Sequence, residues 1–235
     1  MNWNSILFGQ FPYLVLTIAI VGTIYRYNSN RFSWSSQSSQ FLENKTLFYA
    51  SVPWHYGIIA VLLFHIAAIF IPSGVLAWNS VPVRLYLLEL SGLSFGILAL
   101  VGLLVAFNRR LTSSRIRAVT TSWDIIVLVV LVIQVATGIG TALMYKWGSN
   151  WYAASAVPWI RSVITLQPNV EYVASLPLLT KIHIFNALVF IGLIPFTRFV
   201  HFLAFIGPLK YLTRSYQLVR WYNRNERTPA IRQYK

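Results

Sequence analysis

The sequence predicts an all-α membrane protein, a bundle of five transmembrane helices. Of its 235 residues, 57% are hydrophobic and 10% are charged, whereas a soluble globular protein has about 25% charged residues. The 19 Lys and Arg residues far outnumber the 5 Asp and Glu residues, and they lie mostly between the long apolar segments. This pattern favours a membrane protein whose cytoplasmic loops carry the cations over a nucleic-acid-binding protein.

Five apolar segments are long enough to cross a hydrocarbon core of about 30 Å at about 1.5 Å per residue. No basic n-region precedes the first one and no small-residue cleavage site is evident after it, so we expect a span rather than a signal peptide. Pro195 lies within the long fifth segment and is expected to kink it. The predicted spans cover 6–25, 52–71, 85–107, 123–145 and 178–206. They form a transmembrane domain over 1–207, and a basic tail follows over 208–235.

The distribution of cations between successive loops predicts the orientation. The loops after spans one and three and the C-terminal end together hold 15 Lys and Arg residues, while the N-terminal segment and the other two loops hold 4. Because cytoplasmic loops carry the excess of cations, we expect the N-terminus outside the cytoplasmic membrane and the C-terminus in the cytoplasm. Tryptophan and tyrosine cluster near the predicted span ends, as is typical of membrane–water interfaces.

All four histidines of the chain fall inside predicted spans. His55 and His65 lie on span two, and His183 and His201 lie on span five. Ionisable side chains within a membrane are costly and usually mark function. The alternative, that they are hydrogen-bonded polar groups helping helices to associate, accounts less well for four histidines paired on two helices.

These four histidines are expected to form two pairs, each at one depth in the membrane. Span two runs outward and span five runs inward, so the two can pack antiparallel, with His55 level with His201 and His65 level with His183. His183 and His201 are 18 residues apart in sequence, which is five helical turns and places them on one face. Two pairs of imidazoles on facing helices are what two bis-histidine haems require. Zinc fits less well, because no carboxylate or thiolate lies beside these histidines.

The chain has no cysteine, so such haems are expected to be held noncovalently, as b haems. Their propionates need cationic partners. Arg198, one turn before His201, is the first candidate at the inner haem, and Arg26, Arg109 and Arg110 are further ones. For each arginine, orientation of the chain at the membrane surface is the alternative role. Four glycines are expected to allow close approach of helices or of a porphyrin, namely Gly57, Gly92, Gly96 and Gly102.

Motifs along nearly the whole chain resemble those of one protein family. They are Phe11-Pro12-Tyr13, Arg26-Tyr27, Ser38-Ser39-Gln40, the histidines ten residues apart, Arg109-Arg110-Leu111, Arg115-Ile116-Arg117-Ala118, Thr120-Thr121, Asp124, Arg198-Phe199-Val200-His201 and Tyr211-Leu212-Thr213-Arg214-Ser215-Tyr216-Gln217-Leu218-Val219-Arg220. With these motifs, the chain resembles the gamma subunit of the membrane-bound respiratory nitrate reductase, the dihaem cytochrome b that anchors that enzyme.

The resemblance implies five helices, an outside N-terminus and two b haems. It implies that His55 and His201 hold the inner haem iron, and that His65 and His183 hold the outer one. Quinol, either menaquinol or ubiquinol, is then oxidised near the outer haem. Electrons pass inward to an iron–sulfur subunit and on to a molybdenum catalytic subunit that reduces nitrate in the cytoplasm. No nitrate-reducing site is expected on this chain itself.

The candidate groups on the quinol side are His65, Arg84, Lys181 and Glu89. Arg84 is the best match to a functional lysine of the family, but arginine does not release its proton as lysine does, which argues against a proton-handling role there. Phe64 stands where the family often has glycine, and it would narrow the quinol pocket. For Glu89, the alternative is an interface residue that faces headgroups or water.

Two other functions remain open from the sequence. One is a similar cytochrome of a nitrite-oxidising enzyme, in which electrons run outward from the catalytic subunit. The other is a haem-free membrane anchor whose histidines are merely polar. The basic tail fits contact with anionic lipid as well as docking of the soluble subunits.

Overall fold

The computed structural model describes residues 3–30, 33 and 39–205. Five helical stretches are long and apolar enough to cross a membrane, which confirms the prediction of an all-α protein with five such helices. No β-strand occurs in these described ranges. The predicted basic tail lies outside them. The five stretches are Ser5–Ser29, Lys45–Phe70, Pro82–Thr112, Ser122–Met144 and Leu178–Phe196.

Regular helices alternate with short π and 3₁₀ segments. Helices α3, α4 and α8 each have proline at their first or second position. The N–H of any residue there would form no intrahelical bond, so proline costs the helix nothing. The α-helices, numbered in chain order, are α1 Phe11–Ser29, α2 Lys45–Phe70, α3 Pro72–Asn79, α4 Pro82–Thr112, α5 Ser114–Arg117, α6 Ser122–Met144, α7 Gly148–Trp151, α8 Val157–Ile164, α9 Glu171–Ala174 and α10 Leu178–Leu193. The π segments are Ser5–Gln10 and Tyr152–Ala156, and the 3₁₀ segments are Ile194–Phe196 and Arg198–Phe205.

The long helices pack in a row: α2 against α4, α4 against α6, α6 against α10, and α10 against α1. We call the end of the bundle that carries Ser5, Phe70, Pro82, Met144 and Leu178 the N-terminal face, and the other end the opposite face. Helices α2 and α10 have little direct contact within the described residues. The two helices therefore do not pack directly on each other as the sequence suggested, because α2 packs against α4 and α10 packs against α6.

Two glycines bring α2 and α4 into close contact. A Cβ atom on Gly57 would lie 2.5 Å from the backbone nitrogen of Ala99, and one on Gly102 would lie 2.4 Å from that of Trp54. Only a residue without a side chain allows two helix backbones to approach this closely. The predicted role of these two glycines in close approach is therefore one of helix packing, and the crossing places the histidines of α2 relative to α4.

The α-helix of the fifth span ends earlier than predicted, which corrects the expected span over 178–206. Helix α10 ends at Leu193. Pro195 has no N–H to donate, and its ring clashes with the carbonyl four residues earlier, which kinks or breaks a helix. Here the α-helix breaks. Arg26 of α1 donates to the carbonyl of Pro195 at 2.8 Å and to that of Thr197 at 2.6 Å. These bonds satisfy carbonyls that the broken helix leaves free.

This early end changes the position of one histidine. His201 lies in the 3₁₀ segment Arg198–Phe205, past the fifth membrane-spanning stretch, which ends at Phe196. The prediction that His183 and His201 share one face of a continuous helix is therefore wrong. A 3₁₀ segment rises about 2.0 Å per residue, with three residues per turn, so helical-turn arithmetic does not carry through it.

Two clusters of buried apolar side chains hold the bundle together. One joins α4 to α6 in the middle of the row, and the other joins α1, α8 and α10 near the N-terminal face. The first contains Ala99, Leu103, Val127, Leu128, Leu131 and Val135. The second contains Phe8, Val15, Trp159, Val163, Val173 and Leu188.

Candidate functional site

The four histidines share one hydrogen-bonding arrangement. In each, ring atom Nδ1 lies within hydrogen-bond distance of a backbone carbonyl, which can only accept. The pairs are His55 with Ser51 at 2.7 Å, His65 with Val61 at 2.8 Å, His183 with Gln134 at 3.0 Å, and His201 with Arg198 at 2.8 Å. Nδ1 therefore carries the proton, and Nε2 keeps its lone pair. This is the form in which imidazole binds a metal, with its second nitrogen oriented by a carbonyl.

His65 and His183 form a pair near the N-terminal face. They lie close enough to interact electrostatically, although they belong to helices with little direct contact. The ring of Tyr152 packs edge-on against His65, with the two centroids 4.8 Å apart. Burial raises the pKa of Tyr152 to about 12, so its phenol stays neutral at physiological pH. The structure thus brings the two predicted outer ligands together.

Several residues of helix α6 contact the ring of His183. Thr137 Oγ1 lies 3.1 Å from Nδ1, and Gln134 donates through its side-chain nitrogen to Nε2 at 3.2 Å. The Gln134 amide is oriented by Asn186, whose nitrogen donates to its oxygen at 2.8 Å. Gly138 leaves the space that the ring fills. The structure therefore holds this imidazole by contacts from a helix other than its own.

The other two histidines lie toward the opposite face. His55 is exposed on α2. His201 borders a cavity of about 120 Å³, which Arg110, Asp124 and Arg198 also line. The structure thus places the first predicted propionate partner, Arg198, and a second one, Arg110, beside His201. No direct contact between the side chains of His55 and His201 is among those found in the described residues.

Asp124 links the two arginines beside this cavity. Arg198 Nε lies 2.9 Å from one carboxylate oxygen, and Arg110 lies 3.5 Å from the other. The same carboxylate accepts from the backbone N–H of Thr121, whose hydroxyl accepts from the Asp124 N–H, so the pair forms a capping box at the start of α6. Asp124 is 4% exposed. Two cations therefore converge on one buried carboxylate next to His201.

Arg109 and Arg26 have structural partners instead. Arg109 is 5% exposed and donates to Glu43 at 2.6 Å and to Ser39 at 3.0 Å, which ties the first loop to α4. The Arg109 guanidinium and the Thr46 N–H lower the pKa of Glu43 to about 2. Arg26 bonds to the carbonyls at the end of the fifth span. Their predicted roles at a propionate remain predictions.

The candidate quinol-side residues are separated at the N-terminal face. Glu89 accepts from the hydroxyl of Ser149 at 2.6 Å and from its N–H at 2.8 Å. The Arg84 guanidinium lies over the ring of Trp78, 5.3 Å from its centroid. Lys181 donates to the Ala174 carbonyl at 2.6 Å. None of these contacts joins the three residues to one another or to His65, so their shared role stays a prediction.

Sequence reasoning missed several residues that contact the histidines. Gln134, Thr137 and Gly138 contact His183, and Tyr152 contacts His65. One signal was available: Gln134 is an amide in the middle of an otherwise apolar span, and polar side chains there usually have a partner. Tyr152 gave no such signal, because it lies in a loop rich in aromatic residues.

Comparisons with known proteins agree with this architecture. The nitrate reductase gamma subunit family matches residues 4–222. The nitrate reductase gamma chain of Bacillus subtilis is 38% identical over 220 residues, covering 92% of this chain and 98% of its own length. The respiratory nitrate reductase 1 gamma chain of Escherichia coli is 32% identical over 222 residues, covering 92% and 97%. The nitrate reductase-like protein NarX of Mycobacterium tuberculosis is 33% identical over 214 residues, which are 89% of this chain and 32% of that protein.

These matches span nearly the whole described structure, including all five long helices and the four histidines. Full-length coverage of the gamma chains, together with five helices able to cross a membrane, identifies a multi-pass subunit of an oxidoreductase complex whose catalytic site lies on another chain. The chain belongs to the nitrate reductase gamma subunit family and is a membrane electron-transfer subunit of nitrate reductase.

Proposed function

We propose that this chain is a dihaem cytochrome b subunit that takes electrons from quinol and delivers them across the membrane. The observation that carries the proposal is the shared state of the four histidines, each with Nδ1 on a backbone carbonyl and Nε2 as an acceptor. In His183 this Nε2 accepts from the Gln134 amide, which a haem iron would displace. His65 and His183 would hold the iron of one haem, and His55 and His201 would hold that of the other. Both haems are b-type, because the chain has no cysteine for covalent attachment.

The residues present fit such a group. Imidazole Nε2 atoms are suitable axial ligands. Helices α2 and α10 make little direct contact with each other in the described residues. Arg198 and Arg110, beside His201, supply cations for propionates. When bound, haem would supply one-electron transfer between the ferrous and ferric states of its iron. The histidines orient the group, and the apolar helices around it exclude water.

The direction proposed is from the N-terminal face to the opposite face. The N-terminal face lies outside the cytoplasmic membrane, as the distribution of cations predicts, and quinol is oxidised there. Electrons leave at the cytoplasmic face for an iron–sulfur subunit, and from there reach a molybdenum catalytic subunit that reduces nitrate. Each charge moved across the membrane corresponds to about 2.3 kcal/mol per 100 mV. The basic tail over 208–235 docks those soluble subunits.

A spectroscopic experiment tests the proposal. The complex is purified with its partner subunits, and haem b is quantified from reduced-minus-oxidised spectra. We expect two haems in the wild type and one in each of His65→Ala and His55→Ala. Tyr56→Ala, an exposed neighbour of His55 on α2, is the matched control and keeps both haems.

The two histidine variants also allow the midpoint potential of each haem to be measured separately. The haem that remains in His55→Ala is the outer one, and we expect its midpoint potential below that of the haem that remains in His65→Ala. The reverse order would argue for outward electron flow. A folded wild-type complex without haem b would overturn the electron-transfer proposal and leave the anchor function.

A further inference from the structure

A polar cluster at the N-terminal face surrounds Glu89, about two turns into α4. Both donors of Ser149, its hydroxyl and its N–H, bond to the same carboxylate oxygen, Oε1. Asn79 donates to the Ser149 hydroxyl at 2.9 Å, which directs the hydroxyl proton toward Glu89. The ion pairs found among the described residues belong to Glu43 and Asp124. The second oxygen of Glu89, Oε2, is therefore left to receive a proton.

Gly148 provides space next to that oxygen. A Cβ on Gly148 would lie 3.4 Å from Oε2 of Glu89 and 3.9 Å from Nε1 of Trp151. The Trp151 Nε1 is buried and has no hydrogen-bond partner within the described part of the chain, and the same holds for Oδ1 of Asn79, a residue that is 6% exposed. Buried donors and acceptors normally have partners. A hydroxyl group matches these two atoms chemically, because it accepts from an N–H while it donates to a carboxylate oxygen.

The same segment of chain reaches the histidine pair. Ser149 and Tyr152 are three residues apart on consecutive helical turns, which places their side chains about 5–6 Å apart. Tyr152 packs against His65. Trp147, which precedes α7, has a left-handed backbone with φ 65°, a conformation that a bulky residue keeps only where its surroundings enforce it. The position of this segment is therefore well determined, with Glu89 at one end and His65 at the other.

We propose that Oε2 of Glu89 is the proton acceptor for the substrate hydroquinone, whose hydroxyl binds between Oε2 and the Trp151 N–H at Gly148. This inference rests on the proposed function. Oxidation of one hydroquinone to quinone breaks two O–H bonds and releases two electrons and two protons. The b haems of the proposed function would accept these electrons one at a time. The proton of the bound hydroxyl passes to Oε2 and then to water at the N-terminal face, and the proton of the second hydroxyl, at the other end of the ring, passes to water directly.

The proposal predicts a pH dependence, so the other titratable groups near Glu89 matter. Helix α3 contributes none. The remaining elements around this cluster contribute Arg84 and Tyr86 from α4, Tyr145 and Lys146 from the loop before α7, Tyr152 from the π segment and His65 from α2. Arg84 lies over Trp78, and Tyr86 packs against Trp147 with centroids 5.3 Å apart.

The test uses the complete membrane complex with the Glu89→Gln variant. We expect quinol-dependent nitrate reduction to fall about 100-fold, the usual loss when a general base is removed. The dithionite-reduced haem b spectrum should be unchanged, as should nitrate reduction driven by reduced methyl viologen, which needs no quinol. The pH profile of the quinol-dependent rate should differ between the wild type and Glu89→Gln.

Two further variants test the binding geometry. Gly148→Ala fills the proposed hydroxyl position and should raise the KM for quinol at least about tenfold, the effect of blocking one polar contact. Gly74→Ala is the matched control, since its Cβ would meet only the Ile71 side chain, at 3.7 Å. Glu171→Gln, on α9, is the control for loss of a carboxylate at this face.

The outcomes separate the two proposals. Loss of haem b from the wild type would overturn the proposed function. Two intact haems with an unchanged quinol rate and pH profile in Glu89→Gln would overturn the inference alone. If Glu89→Gln does not assemble, Glu89→Asp and Gly148→Ala decide: unchanged quinol kinetics in both would overturn the inference, and an altered pH profile or KM would support it.

Discussion

The imidazole of His183 lies so close to Gly138 that a Cβ on the glycine would be 2.9 Å from ring atom Cε1. The two residues belong to different helices, α10 and α6. Real Cβ atoms essentially never show so short a contact, so any side chain at Gly138 would displace the ring. The glycine therefore determines where this predicted haem ligand lies.

Gly138→Ala is expected to reduce the haem content from two per complex toward one, because the displaced His183 imidazole no longer meets the iron. Haem quantification by reduced-minus-oxidised spectra measures this. Gly140→Ala, two residues away on α6, is the control. Its Cβ would meet only the flexible end of Leu179, at 3.1 Å. Full haem content in Gly138→Ala would contradict the assignment of His183 as a ligand.

The crossing of α2 and α4 yields a second prediction. Gly57→Ala places a Cβ 2.5 Å from the Ala99 backbone nitrogen, and a backbone cannot move away as a side-chain end can. We expect a loss of about 1–3 kcal/mol of stability, the usual effect of overpacking, together with lower haem content. Thermal denaturation of the detergent-solubilised complex measures it. Gly92→Ala, whose Cβ would lie 3.9 Å from Phe64, should match the wild type.

Asp124 provides the third prediction. Asp124→Asn leaves the guanidiniums of Arg110 and Arg198 without their anionic partner beside His201. We expect the variant to be about 1–3 kcal/mol less stable than Thr121→Ala, which removes the cap hydroxyl but retains both ion pairs. Denaturation curves of the two variants provide the comparison. Equal stability of the two would show that the ion pairs contribute nothing beyond the cap.

The Glu43–Arg109 pair predicts how stability depends on pH. Hydrogen bonding to Arg109 lowers the pKa of Glu43 in the folded protein from 4.5 to about 2. A carboxyl group whose pKa falls on folding stabilises the folded state above its unfolded pKa, and this contribution is lost as the pH falls through the folded value.

Glu43→Gln should therefore lower the melting temperature at pH 7, and the difference from the wild type should shrink as the pH falls from about 4.5 to about 2. Melting curves over this pH range test the expectation. Glu171→Gln, at the N-terminal face, is the control and should show no such convergence. A Glu43→Gln difference that stays constant over this window would mean that the pair does not set the acid stability.

Much of the architecture was predictable from the sequence because membrane spans depend on length and hydropathy alone. Four of the five predicted spans lie largely within the observed helices, with ends that differ by up to seven residues. The largest such shift is at the start of α2, where the helix begins seven residues before the predicted span, in a segment from Lys45 that mixes polar with apolar residues. Hydropathy marks the apolar core of a helix and not its polar ends.

The candidate site was predictable in its residue types but not in its contacts. Four histidines in apolar segments stand out in a chain with few charges, and their state in the structure suits metal binding. The partners of Arg109 and Arg26, however, come from positions 66 and 169 residues away. No local pattern distinguishes an arginine that pairs with a distant carboxylate or carbonyl from one that is free to bind a propionate.

Hydropathy, cation distribution and residue type thus sufficed for the number of helices, the family motifs and the candidate ligands, because each depends on local sequence. Where the fifth α-helix ends, which helices pack together and what contacts each histidine depend on the tertiary structure. Pro195 could have kinked a continuing helix, but Arg26 from α1 bonds the freed carbonyls and stabilises the break. Similarly, Tyr152 contacts His65 from a segment whose Ser149 is bonded to Glu89 and Asn79, both of which are distant in sequence.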